Sequence, residues 1–180
     1  MANYFKFSKF TIFNNEFNID QYKSYDTSHK KIPEFTNYFT SEFKEYLTSV
    51  NLTVHLCELF QYEPFEGLGI HIDGSSIDDR CKINIIYGGV QSEMLWYSPK
   101  DQNVKPKIKV TPIGTNYLKY DEQDLVVLEK AELTGANVVR VGIPHSIQNY
   151  KEYRVCLSIP LIFADTKKPA TFDYVTTVLS

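Results

Sequence analysis

The sequence predicts a mainly β protein, a sandwich or jelly roll with one supporting amphipathic helix near residues 34–50. Three observations carry this expectation. From Leu52 onward, β-forming residues run with period two and are parted at short intervals by Gly, Pro, Asn or Asp. Helical pattern does not alternate with these runs, which argues against a doubly wound α/β sheet. One segment alone, with Phe35, Tyr38, Phe39, Phe43, Tyr46, Leu47 and Val50, repeats at three- and four-residue steps and forms an apolar stripe.

Taken in order, residues 1–51 form an N-terminal region. Its first 32 residues are polar, aromatic and irregular, with a short strand expected near Phe5 to Phe13. Pro33 stands where the helix can begin and Asn51 where it can end. Residues 52–163 hold the β core. The expected strands are Leu52–Phe60, Gly67–Asp73, Lys82–Tyr87, Glu93–Tyr97, Ile108–Pro112, Asp124–Leu128, Asn137–Gly142 and Arg154–Phe163. Residues 164–180 add a C-terminal strand over Phe172–Val178. The longest polar stretch, Ser98–Lys109, reads as a solvated connector or a lid. A chain of 180 residues suits a single domain with a substantial core.

Composition narrows the function classes. A net charge of −3 and a pI near 5.8 argue against a broad electrostatic footprint for nucleic acid. Cys57, Cys81 and Cys156 lack Cys-x-x-Cys spacing and are expected as buried, reduced thiols. The N-terminal MANYFKFSKF has no long apolar region, so neither secretion nor a membrane span is expected, and the chain reads as cytoplasmic. The sequon at Asn51 is accordingly expected to stay unmodified.

The chemistry concentrates in His71-Ile72-Asp73, His145 and Arg154. Residues two apart on a strand share a face, so His71 and Asp73 can ligate one ion. An imidazole from a second strand completes two nitrogens and one carboxylate on one side of the metal, the ligand set of non-heme Fe(II) sites with open positions. His71 and Asp73 end an apolar strand and run into Gly74-Ser75-Ser76, while His145 follows Gly142-Ile143-Pro144. The alternative for the first pair is an imidazole hydrogen-bonded to its carboxylate neighbour. Arg154 opens an otherwise apolar strand, and its fork of donors suits a carboxylate bound beside the metal. Its alternative is a surface ion pair with Glu152.

The stretches IHIDGSSIDDRCKINIIYGG and VGIPHSIQNYKEYRVCLSIPL resemble the core of the Fe(II)/2-oxoglutarate-dependent dioxygenases. The first is similar to prolyl hydroxylases, the second to aspartyl/asparaginyl hydroxylases, and the resemblance covers roughly Leu52 to Phe163. It implies a double-stranded β-helix with iron at its open end, held by His71, Asp73 and His145. It further implies 2-oxoglutarate as co-substrate with O2, and oxidation of a C–H bond coupled to decarboxylation. By the same resemblance Arg154 takes the far carboxylate of 2-oxoglutarate and Tyr87 binds that carboxylate through its hydroxyl. Asn84 is the other candidate on that strand, and alternation places Asn84 and Tyr87 on opposite faces. Tyr62, Trp96 and Asn149 are candidates for the rim.

Departures from these families bear on substrate. No arginine follows Arg154, whereas alkylated-base demethylases use more beyond that point. Asp73 is present where membrane-anchored aspartyl hydroxylases lack the carboxylate. Two substrate classes stay open, a free small molecule such as an amino acid and a side chain of a peptide or protein. The mouth is expected from the loop after Asp73, the strand of Trp96 and Tyr97, and Ser98–Lys109. Other readings of the pattern are a cupin-type metal protein, although cupins prefer His-x-His, and a non-catalytic jelly-roll binding module. Oligomeric state has no signal in the sequence.

Overall fold

A computed structural model describes residues 2–23 and 28–180. The chain runs through β1 (Tyr4–Lys6), β2 (His29–Lys31), α1 (Ser41–Ser49), β3 (Leu52–Val54), β4 (Glu58–Tyr62), β5 (Gly67–Asp73) and β6 (Cys81–Gly88). It continues through β7 (Glu93–Pro99), β8 (Lys107–Val110), β9 (Asn116–Lys119), β10 (Leu125–Glu132), β11 (Gly135–Arg140), β12 (His145–Gln148), β13 (Arg154–Phe163) and α2 (Phe172–Leu179). The protein is mainly β, with two antiparallel sheets. One sheet has the order β1-β11-β6-β13-β4-β2, with β3 paired to the far end of β13. The other has the order β10-β7-β12-β5-β9-β8. From β4 to β7, and again from β10 to β13, successive strands alternate between the two sheets.

Strand alternation sorts the side chains into layers. Ile86 and Cys156 of the first sheet meet Met94, Trp96 and Ile147 of the second in the core between them. On the outer face of the first sheet, Ile83, Leu157 and Ile159 pack beneath Phe43 and Leu47 of α1 and Phe172, Val175 and Leu179 of α2. A smaller cluster, including Ile72, Leu95 and Leu118, covers the outer face of the second sheet. Cys57, Cys81 and Cys156 are all free and buried.

Several expected elements change. The helix is shorter than the stripe predicts. Phe35–Tyr38 is a 3₁₀ turn, and α1 starts only after Thr40, whose hydroxyl accepts from the Phe43 N–H at 3.2 Å. Asn51 lies just past its end at φ 52°, the left-handed conformation asparagine tolerates. The expected strand Leu52–Phe60 is two strands, because β3 and β4 pair with opposite ends of β13 and the chain breaks pairing between them. The C-terminal strand over Phe172–Val178 is instead the helix α2. Its aromatic and β-branched residues look strand-like, yet Phe172, Val175 and Leu179 are buried at helical spacing and Thr171 caps the start. The short strands β2, β9 and β12 have no separate signal in the sequence.

Candidate metal centre

His71 and Asp73 lie on β5, and His145 opens the neighbouring β12, its Cα directly opposite that of His71. A register shift in this pairing decides which way they face. Ile147 stands opposite Leu68, so three residues of β5 oppose two of β12, the mark of a β-bulge around Gly69 and Ile70. Leu68 points into the core between the sheets, while Ile70 and Ile72 point to the outer cluster. With every residue kept and no bulge, even alternation from Leu68 would send His71 and Asp73 outward. The bulge turns them in.

His145 is placed by the turn before it. Gly142 packs so closely on the 78–80 segment that a Cβ there would lie 2.3 Å from the Asp78 carbonyl oxygen. The Gly142 N–H donates to the Arg80 carbonyl at 3.2 Å, and the Asp78 N–H donates to the Gly142 carbonyl at 3.0 Å. This clasp ties the approach to His145 to the loop that follows Asp73.

The ligand atoms of His71, Asp73 and His145 lie within 4.8 Å of one another. The two rings are held alike. Nδ1 of His71 bonds the Gly69 carbonyl at 2.8 Å, and Nδ1 of His145 bonds the Ile143 carbonyl at 2.9 Å. A carbonyl only accepts, so each Nδ1 carries a proton and Nε2 is the nitrogen left to face a metal. Burial, with the neighbouring His71 adding to it, pushes the His145 pKa down to about 3 and keeps that ring neutral. Burial alone would raise Asp73, but the Lys82 ammonium beside it overrides this and holds the carboxyl well below its ordinary range. Cis ligands on a first-row ion stand about 3 Å apart, so modest side-chain rotation closes this donor set on one ion. The residues present fit a divalent metal.

Arg154 sits across the cavity on the inner face of the other sheet, and it is 2% exposed. Its guanidinium lies 5.6 Å from the centre of the Tyr62 ring, and Nε has no hydrogen-bond partner. Among the described residues no carboxylate pairs with it. The surface pair with Glu152 does not form; a Glu152 carboxylate oxygen instead accepts from the Val90 N–H at 3.4 Å. Asn84 is on the same inner face, buried, with Oδ1 unpartnered. A small pocket lined by His71, Asp73, His145, Asn84, Tyr62 and Arg154 joins them.

Tyr87 requires a correction. It alternates with Asn84 and Ile86 to the opposite face of β6 and packs in the outer core beneath the helices. Its hydroxyl is not at the pocket. Tyr62 occupies the inner face instead, opposite Arg154 in the strand pairing, and burial raises its phenol so that it stays protonated. Trp96 is a core residue with no exposed surface, donating to the Arg140 carbonyl at 2.8 Å and stacked on Tyr4. Asn149 clamps loop carbonyls, donating to those of Glu63 and Glu152 at 2.8 Å each.

A larger cavity of about 500 Å³ opens on His71 and Asp73. Gly74 and Ser75 line it as expected, but the rest of the expected mouth is displaced. Tyr97 faces the outer cluster, and the lip is the turn joining β8 to β9, with Val110, Thr111 and Tyr117. Of the Ser98–Lys109 lysines, Lys100 donates to the Gln123 carbonyl and Lys107 pairs with Asp121, both away from the cavity. Sequence reasoning missed Glu58 and His29 as cavity residues and did not place Lys82 beside Asp73. A lysine and an asparagine at alternate positions of a strand whose other residues are apolar are the available sign of a polar interior.

No protein-family model matches the chain. No curated protein sequence matches it either. Among solved structures it is similar to an oxidoreductase of the 2OG-Fe(II) oxygenase family from Burkholderia pseudomallei, with TM-score 0.41 and 12% identity over 68% of this chain and 51% of that one. It is also similar to E. coli ycfD, with TM-score 0.39 and 13% identity over 76% of this chain and 31% of that one. The chain thus spans about half the length of the first of these proteins.

Proposed function

We propose that this protein is an Fe(II)- and 2-oxoglutarate-dependent oxygenase on a double-stranded β-helix, and that it hydroxylates an amino-acid side chain, free or in a protein. The observation that carries the reading is the donor set of His71, Asp73 and His145, within 4.8 Å, facing a buried Arg154 that has no acidic partner among the described residues. An unpaired buried guanidinium is costly, and a carboxylate ligand removes that cost. The alternation of strands between the sheets supports the β-helix reading. With ferrous ion, 2-oxoglutarate and O2 in place, the site would insert one oxygen atom into a C–H bond and release succinate and CO2.

The chain's own groups divide the work. His71, Asp73 and His145 hold the metal on one side, leaving positions open toward the pocket. Arg154 grips the far carboxylate of 2-oxoglutarate, with the protonated Tyr62 hydroxyl as a further donor on the same face. Buried apolar residues such as Met94, Ile147 and Cys156 keep water out around the co-substrate. The 500 Å³ cavity is lined by apolar side chains such as Leu56, Phe60 and Val141 and by polar ones that include His29, Glu58, Arg80 and Lys82. That volume suits a side chain or a small metabolite.

Purified protein incubated with Fe(II), 2-oxoglutarate and separate pools of amino acids, peptides and oligonucleotides tests the proposal by succinate formation. Succinate should form with wild type and not with His145→Ala, which should fold but lose stoichiometric iron. Iron binding by His145→Ala equal to wild type would show the triad misassigned. Stimulation by oligonucleotides alone would overturn the choice of substrate.

A further inference from the structure

Lys82 is buried on the inner face of β6 and is held between two carboxylates from different sheets. Its Nζ lies 2.9 Å from Oδ2 of Asp73 on β5 and 2.8 Å from Oε2 of Glu58 on β4. The other oxygen of Glu58 is 3.4 Å from Nε2 of His29, whose ring stacks on Phe60 with centroids 4.2 Å apart. The oxygens of Asp73 are therefore divided. Oδ1 lies 3.6 Å from Nε2 of His71, on the donor side, and Oδ2 is taken by the ammonium.

This division has a chemical consequence. A free carboxylate can give a metal one oxygen or two, and two would occupy a coordination position otherwise open to a ligand. A cation fixed on the outer oxygen removes that choice. A lysine alone beside a divalent ion would repel it, and Glu58 offsets that charge. Burying an ammonium where a leucine would fill the space is unfavourable unless paired, and here both carboxylates are within hydrogen-bond distance.

We propose that Lys82 is a positioning residue: by holding Oδ2 of Asp73 it leaves the carboxylate a single oxygen, Oδ1, to offer a metal, and Glu58 holds Lys82 in place. The inference rests on His71, Asp73 and His145 being a metal site.

The test is an infrared difference spectrum of the whole protein on adding Mn(II), comparing wild type with the double variant Glu58→Gln/Lys82→Met. The double variant removes one charge of each sign, so the net charge of the site is unchanged. The asymmetric and symmetric carboxylate stretches stand far apart when one oxygen binds a metal and move closer when both do. Asp73→Asn identifies the bands that belong to Asp73. Wild type should show the wide separation and the double variant the narrow one, a change that mere loss of packing would not produce. If the double variant does not fold, Lys82→Gln, which is shorter than lysine and lacks its charge, should give the same narrowing. A wide separation kept in either folded variant, or a narrow one in wild type, overturns the role of Lys82 and leaves the metal site standing. No Asp73 band change in wild type on adding Mn(II) overturns the metal site and this inference with it.

Discussion

Arg154 is the first residue of a ten-residue strand and carries its charge into the space between the sheets, with the face of Tyr62 beside it. A planar fork in such a setting is matched to a carboxylate in a way an ammonium is not. Arg154→Lys should therefore weaken 2-oxoglutarate binding at least about tenfold, or roughly 1.4 kcal/mol, measured by titration with the metal present. Tyr87→Phe should leave that affinity unchanged, because its ring belongs to the core under the helices. A tenfold loss in Tyr87→Phe would contradict the assignment of faces. At this scale the sequence was legible where chemistry is rare: His71, Asp73, His145 and Arg154 stand out by type and spacing. It showed that Asn84 and Tyr87 point opposite ways, but not which points inward. A slip of one residue exchanges the faces, and the one mark of the inner face in isoleucine-rich β6 is Lys82 alternating with Asn84.

The element that matters most to the site is the bulge in β5. Because Leu68 and His71 both face the interior although three positions apart, the extra residue is what orients the two ligands. Deleting Gly69 should remove the bulge, leave Leu68 and His71 two positions apart on one face, and keep Mn(II) binding. Gly69→Ala should keep it, since a Cβ there meets no atom within 4 Å. Mn(II) binding lost in a folded Gly69 deletion would contradict this count of faces. The bulge was not legible, because GLGIHID reads as an even strand and the interruption appears only against β12. The α2 helix was hidden for a different reason. Phe172, Tyr174, Val175 and Val178 favour strands by type, while the cap at Thr171 and the face packed on the sheet decide for helix. Helix α1 was easier to read, as its aromatic stripe has no strand interpretation.

On the scale of the whole molecule, the proposed ligands come from one sheet and the proposed anchor from the other. His71, Asp73 and His145 belong to β5 and β12, and Arg154, Asn84 and Lys82 to β13 and β6. A co-substrate chelating the metal while reaching Arg154 would span the two sheets, so its binding reports on the packing of the entire fold. The mainly β class was legible from period two, and the pairing of distant strands was not, because it depends on which edges meet after the chain crosses between layers. The turn between β8 and β9 likewise became the cavity lip through pairing of β9 with β5, a contact between residues more than forty apart in sequence. The most direct test of the central claim is anaerobic addition of 2-oxoglutarate to the Fe(II)-loaded protein, followed by visible absorption. Wild type should develop the charge-transfer band that a keto acid gives when it chelates ferrous ion, saturating at one equivalent per chain. Arg154→Lys should need at least about tenfold more 2-oxoglutarate to reach it. Iron-loaded wild type that develops no band at any concentration of 2-oxoglutarate would contradict the account.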